Sequence, residues 1–404
     1  MFIDLSPFVK YKDFRNLYFG QFFSFFGYML LYVALPFQMY QLTHSALHVG
    51  NIGLVELIPL LATSLFSGAL ADRLNRRLIL ISTQFGSIVM SGLLWWNACL
   101  PHPMIWLIYG VAALNSAISG LNRPVLTAVI QRMIEPKDMP AVSAVSSFMA
   151  SITMVAAPGL AGVLLGKFHP SVVYAMNVFG YLIAFGVIFF VKNIENVESS
   201  SERILESIKI GLKYAKSRQE LMGTYLIDFV AMVFGMPMAL FPILAMEVYH
   251  KPDMVGWLYA APAVGGFIIS VISAWSTKIK RHGMAIIYSA CVWGVAIVLF
   301  GLMHNIYAAL LFLIVAGGAD AVSGMFRSTL WNQTIPHHLR GRLASIEMIS
   351  YMSGPLIGNA EAGFIAHIYS VSFSVISGGV LCIVGVVILS WFLPGFWKYE
   401  TTVG

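Results

Sequence analysis

The chain has 404 residues, 58% of them hydrophobic and 10% charged, with a formal net charge of +6 and a mean hydropathy of +0.80. So little polar surface cannot cover a globule in water, and the composition excludes a soluble fold in favour of one dissolved in lipid. The positive balance does not point to nucleic acid, because the basic residues follow the connections between apolar runs instead of gathering on one face.

Twelve apolar runs of about 20 residues each recur along the chain, centred near Gly27, Leu60, Val89, Ile118, Ile152, Leu182, Phe234, Gly265, Val295, Asp320, Leu356 and Val384. Each is long enough to cross a hydrocarbon core of about 30 Å at 1.5 Å per residue. The fold class this predicts is an all-α membrane protein with 12 transmembrane helices. Met1 to Lys12 lacks the sections of a cleaved signal, so the first span is expected to be retained.

The first span, Phe14 to Tyr40, carries Gln21, Tyr28, Tyr32 and Pro36. The second holds Glu56 and Pro59 and runs into a charged turn, Gly68-Ala-Leu-Ala-Asp72-Arg73-Leu-Asn-Arg76-Arg77. The third ends in Trp95-Trp96, the residue type that anchors at a lipid interface. The fourth carries Asn115, Ser119, Asn122 and Arg123 at i, i+4, i+7 and i+8, near one helical face that polar groups keep out of lipid. The fifth contains Ala156-Ala157-Pro158-Gly159-Leu160-Ala161-Gly162, which reads first as close helix packing with a kink.

Residues 192–219 are polar, with Ile204, Leu205, Ile208, Leu212 and Ala215 forming an apolar stripe opposite Glu206, Lys209, Lys213 and Lys216. This predicts a cytoplasmic amphipathic linker helix on the membrane surface, joining bundles 1–191 and 220–404. The second bundle repeats the first. Ser116 to Leu126 aligns with Asp320 to Leu330, and Ala157-Pro158-Gly159-Leu160-Ala161 with Gly354-Pro355-Leu356-Ile357-Gly358, which predicts two pseudo-symmetric six-helix bundles. The counterpart of the charged turn, Ala274 to Arg281, lacks the aspartate.

Of the 24 Lys and Arg residues, only Lys167 and Lys251 fall on the outer side when both termini are cytoplasmic, and Arg123 and Arg327 lie within spans. Cys99, Cys291 and Cys382 fall in spans without paired or ligand spacing and read as small apolar fillers.

Ionisable side chains in hydrocarbon cost several kcal/mol and are functional candidates weighed against structural ion pairs. They are Glu56, Arg123, Asp228, Asp320, Arg327, Glu347 and Glu361. Counting along each span puts Asp320 near the midplane and Arg123, Asp228 and Arg327 about 8 to 10 Å towards the cytoplasm. Glu56 and Glu361 fall in the outer half. Glu347 lies close to the inner surface, where Arg340 or Arg342 is its expected partner. Arg327 either meets cargo or is neutralised by Asp228 or Asp320.

The charged turn resembles the G-x-L-A-D-R-x-x-R-R signature of the major facilitator superfamily. Further likeness in Phe14-Arg15-Asn-Leu-Tyr-Phe-Gly20-Gln21, Ala34-Leu-Pro36-Phe-Gln38 and Ile335-Pro336-His-His-Leu-Arg340-Gly341-Arg342 is to the branch of siderophore and drug efflux proteins. The run around Pro158 departs from the family's G-P-x-x-G-G antiporter motif, with Ala157 and Ala161 in place of glycines.

The resemblance implies a central cavity lined by the first, fourth, seventh and tenth helices. It makes Arg123, Arg327, Tyr28, Tyr32, Asn115, Ser119 and Asn122 candidate cargo contacts, since a guanidinium grips a carboxylate or catecholate with two parallel hydrogen bonds. Asp72, Arg73 and Arg77 become a conformational gate. Spans two and eleven pack together in this fold, so Glu56 and Glu361 become proton-coupling candidates, with Asp320 and Asp228 the competing carriers. Two nearby carboxyls in low dielectric cannot both be charged.

The implied function is a monomeric secondary transporter of a bacterial inner membrane, without cofactor. It exports a siderophore-like or amphipathic anionic small molecule against protons by alternating access. Import of a siderophore and multidrug efflux through an apolar pocket are the alternatives. No nucleotide-binding loop is present to couple ATP, and no clustered His, Ser or metal constellation suggests an enzyme.

Overall fold

Long runs of apolar residues in lipid must satisfy their backbone groups internally, and helices do this within one segment. The computed structural model describes residues 6–73, 75–191, 204–336 and 339–400, without the side chains of 65–73, 204–209, 340–342, 344 and 345. The first part of the chain forms α1 (Ser6–Lys10), α2 (Lys12–Thr43), α3 (Ala46–Arg73), α4 (Arg76–Ala98), α5 (Ile105–Met133), α6 (Met139–Lys167) and α7 (Pro170–Ile188). The remainder forms α8 (Ile204–Lys216), α9 (Gln219–Gly235), the short turn α10 (Phe241–Ile243), α11 (Val255–Val271), α12 (His282–Leu302), α13 (Ile306–Thr334), α14 (Arg340–Ile368), α15 (Val371–Phe392) and α16 (Pro394–Trp397).

Among the described residues, 11 helical segments are long and apolar enough to cross a membrane. The eleventh predicted span, α14, is 29 residues long but is not one of them, because Glu347, Asn359, Glu361 and His367 dilute its apolar content. The ends are set by local chemistry. His44 at φ 48° closes α2 in the left-handed conformation. Asn75 Oδ1 accepts the Arg77 N–H at 2.9 Å to start α4, and Ser370 Oγ accepts the Phe373 N–H at 3.1 Å to start α15.

The chain divides into two compact units, one comprising residues 1–44, 55–201 and 252–256, the other 45–54, 202–251 and 257–404. In the first, α2 packs on α6 and α7, and α4 on α5 and α7. Leu17, Leu80, Val125, Val129, Ile188 and Val191 make its main buried cluster. In the second, α12 packs on α13, α15 and α9, and α14 on α9, α15 and α8.

Each unit contains the start of one long helix seated on another helix without intervening side chains. In the second unit, a Cβ added to Gly50 of α3 would lie 2.8 Å from the Asn359 carbonyl oxygen and 2.8 Å from the Gly363 Cα of α14. In the first, a Cβ on Gly256 of α11 would strike the Pro158 carbonyl of α6. The small-residue run around Pro158 is therefore a packing surface, which is the first of its two sequence readings.

One expectation, for Cys99, needs correction, and two others gain detail. The predicted seventh span is not one continuous helix: α9 ends at Gly235, and the chain continues through a 3₁₀ turn at Met238–Leu240, α10 and a π turn at Leu244–Val248. Cys99 is not a filler inside a span, because it caps the end of α4 and is exposed, whereas Cys382 is buried. The linker helix α8 packs on α14 and α9, with the Tyr214 hydroxyl donating to Thr334 O at 3.1 Å. Within its predicted stripe Ala215 is buried but Leu212 is exposed, and Ile204, Leu205 and Ile208 lie outside the described side chains.

The short helix α1 is tied to the α5–α6 connection. Lys10 Nζ lies 2.7 Å from Asp138 Oδ2 and 2.9 Å from Glu135 Oε1, and the Tyr11 hydroxyl donates to Asp138 Oδ2 at 2.7 Å. Hydrogen bonding to Asp138 first, and to Tyr11 and Glu135 next, raises the Lys10 pKa above the usual lysine range. Lys137 and Lys10 together hold Glu135 down at about 2.

Candidate functional site

Three of the ionisable residues predicted within spans meet in the second unit. Asp228 projects from α9 and Asp320 and Arg327 from α13. Arg327 Nη1 is ion-paired with Asp228 Oδ1, and its Nη2 lies 3.7 Å from Asp320 Oδ1. The Arg327 and Asp228 side chains are 11% and 14% exposed, but Asp320 is 58% exposed, so only the first pair is withdrawn from its surroundings. Of the two sequence readings of Arg327, neutralisation by Asp228 is the arrangement observed. Arg327 Nε is also buried, and it has no acceptor among the described residues. Glu347 of α14 acts on the same guanidinium through its charge. Its expected partners, Arg340 and Arg342, lie outside the described side chains.

The break in the seventh span begins two helical turns beyond Asp228, and its freed backbone groups are taken up by neighbours. Trp293 Nε1 of α12 donates to Gly235 O at 3.0 Å. The Tyr259 hydroxyl of α11 donates to Met238 O at 2.9 Å. Asn359 Oδ1 of α14 accepts the Ala239 N–H at 3.0 Å. A broken helix survives in a membrane only when such partners exist. Sequence reasoning passed over Asn359 and Trp293 because neither is ionisable. The signals were Gly235, Pro237 and Pro242 in one span, with a lone amide in the middle of another.

In the first unit, Tyr28 and Tyr32 stack in series with Phe25, with ring centroids 6.4 Å apart at each step. Asn115 is buried and Ser119 half-buried. Asn122 Nδ2 donates to Thr83 Oγ1 at 3.0 Å, a bond that links α5 to α4. Arg123 is exposed and has no carboxylate partner among the described residues. Asn115 and Asn122 share a face, whereas Arg123 is turned about 80° away from Asn115 at 3.6 residues per turn.

Glu56 is half-buried, and its carbonyl accepts the Ser116 hydroxyl at 2.9 Å. Glu361 is half-buried on α14 between Asn359 and Gly363, the residues that meet Gly50. The side chains of Asp72 and Arg73 lie outside the described residues. Arg77 Nη2 donates to Phe189 O at 3.3 Å, which ties the start of α4 to the end of α7.

Residues 3–400 match the family described as "Transmembrane secretion effector". The chain is 25% identical over 96% of its length to the enterobactin exporter EntS of Citrobacter koseri, covering 93% of that protein, and equally similar to EntS of Escherichia coli O81. Among solved structures, a POT family transporter in complex with 5-aminolevulinic acid superposes with a TM-score of 0.76 at 13% identity, over 96% of this chain and 97% of that one. The nucleoside transporter NupG superposes with a TM-score of 0.69 at 11% identity, over 96% and 99%. These likenesses at low identity show the fold that the chain shares with them. The chain is a multi-pass membrane transporter that belongs to the transmembrane secretion effector family of the major facilitator superfamily.

Proposed function

We propose that this transporter exports a siderophore-like, anionic and amphipathic small molecule from the cytoplasm, across a bacterial inner membrane and against protons. The observation that carries the anionic cargo is Arg327 Nε, a buried donor without an acceptor among the described residues, beside a guanidinium already turned into the protein by Asp228. Burying a donor unmatched costs about 1 to 3 kcal/mol, a cost that a bound carboxylate or catecholate oxygen removes. Arg123 and the Phe25–Tyr28–Tyr32 ladder are the proposed cargo contacts of the first unit, offering positive charge and aromatic faces. The names of the EntS relatives agree with export of such a molecule.

For the proton, Asp320 is held only loosely at 3.7 Å while Asp228 is committed to Arg327. Asp320 is therefore the carrier proposed within this cluster. Glu361 of α14 and Glu56 of α3 are the proposed pair for coupling to conformation. Asp72, Arg73 and Arg77 brace the charged turn as its gate.

Reconstituted vesicles with an imposed pH gradient test the coupling. Accumulation of a catecholate chelator should disappear in Glu361→Gln while chelator exchange persists. Unchanged pH-driven accumulation removes Glu361 from the mechanism, and accumulation of neutral, but not anionic, aromatic compounds would replace this reading with multidrug efflux.

A further inference from the structure

A groove unrelated to the ionisable cluster runs along the first unit between α2 and α7, with a volume of about 610 Å³. On α2 it is lined by Phe23, Phe26 and Leu30, at i, i+3 and i+7. These occupy a face turned away from Tyr28 and Tyr32. On α7 it runs from Ser171 to Ile183, and Trp95 of α4 closes one side. The two main helices come close at Gly180, where a Cβ would lie 2.9 Å from Phe23 O. Glycine and Ala175 therefore make a floor lower than the aromatic walls.

Three features identify the occupant. The groove is continuous with the surface this membrane protein gives to lipid, since Phe179 is 65% and Trp95 45% exposed. Its length along α7, 12 steps of 1.5 Å from Ser171 to Ile183, is about 18 Å, close to one leaflet of a core about 30 Å thick. One end is marked by Ser171, which His169 and Lys167 precede by two and four residues in the chain. Ser171 lies in the first turn of α7 and His169 caps that helix, with Nδ1 accepting the Ser171 N–H. Lys167 ends α6 two residues earlier, and both Lys167 and His169 are exposed. A cation and a helix N-terminus favour a phosphate there.

We propose that the groove holds one phospholipid of the bilayer, its acyl chain lying along α7 between Phe23 and Phe179 and its phosphate beside Lys167, His169 and Ser171. Lys167 and His169, exposed just before Ser171 in the chain, favour an anionic phospholipid over a zwitterionic one.

The test uses the full-length protein, purified in detergent and given phosphatidylglycerol or phosphatidylcholine, with retained lipid counted by native mass spectrometry. The wild type should retain one phosphatidylglycerol, and Ala175→Phe, which fills the floor, should weaken retention about tenfold. Lys167→Gln should weaken phosphatidylglycerol but not phosphatidylcholine. Should Ala175→Phe fail to fold, brominated-chain phosphatidylglycerol titrated into the wild type should quench Trp95 fluorescence, as judged against Trp95→Phe, and saturate at low mole fraction. Retention by Ala175→Phe equal to wild type, or quenching that merely follows bulk lipid, overturns the proposal. So does displacement of the lipid by a soluble catecholate, or a dimer that Ala175→Phe dissociates, because the groove would then belong to cargo or to a second copy.

Discussion

Arg327 on α13 and Asp228 on α9 form an ion pair whose side chains are 11% and 14% exposed, and this pair joins two helices of the second unit. A buried pair resists loss of one partner far more than loss of both, because a single survivor is an uncompensated charge. Asp228→Asn and Arg327→Met are each expected to lower unfolding stability by about 3 to 5 kcal/mol. The double variant should recover most of that loss. Thermal unfolding in detergent measures it, and a double variant as unstable as the two singles summed would show that the residues do not act as a pair.

Asn359 is the second structural dependency, because its side chain supplies the acceptor for Ala239 N–H at the break in the seventh span. Asn359→Leu should cost about 1 to 3 kcal/mol and speed hydrogen exchange over residues 236–240, while Asn359→Asp keeps the acceptor and much of the stability. Equal exchange in all three proteins would remove Asn359 from this role.

The run around Pro158 permits a comparison of two glycines, Gly159 within it and Gly256 of α11 packed against it. A Cβ on Gly256 would strike the Pro158 carbonyl, whereas one on Gly159 meets nothing within 4 Å. Gly256→Ala is expected to destabilise by about 1 to 3 kcal/mol through overpacking, and Gly159→Ala should be neutral. A transport defect in Gly159→Ala without loss of stability would restore the antiporter-motif reading of this segment.

Hydropathy made the spans legible because lipid imposes one length on every crossing, and the charged turn made the superfamily legible because its residues fall where a connection must be. The same rule hid the break after Gly235, since a helix interrupted by Pro237 remains as apolar as an intact one. Arg327 and Asp228 were both in view, but spacing along two separate helices cannot state which carboxylate an arginine takes. The hydrogen bond of Asn122 was hidden for a related reason: on a helical wheel its amide belongs with Asn115, and only packing shows it donating to Thr83. Asn359 escaped because its value lies in a backbone group exposed by a break that the sequence had not revealed.

The contact between α1 and the α5–α6 connection sets a pH window. Glu135 is held at about 2, so its contribution is full above its ordinary value near 4.5 and is lost as pH falls through about 2. Lys10 is raised, so its contribution is full below its ordinary value near 10.5 and is lost only as pH rises beyond that. Protection of residues 6–15 from proteolysis should therefore be flat from pH 5 to 9, windows set by these two shifts. Lys10→Ala should remove the protection throughout, and a midpoint near neutrality would contradict the assignment.

Cargo and direction are tested together by comparing chelators in medium and cytosol of iron-limited cells with and without the gene. The account predicts that one anionic chelator accumulates in the cytosol of the deletion strain, and that the wild-type gene, but not Arg123→Ala expressed at equal level, returns it to the medium. Accumulation in the medium of the deletion strain, or no difference in either compartment, would contradict export of such a molecule.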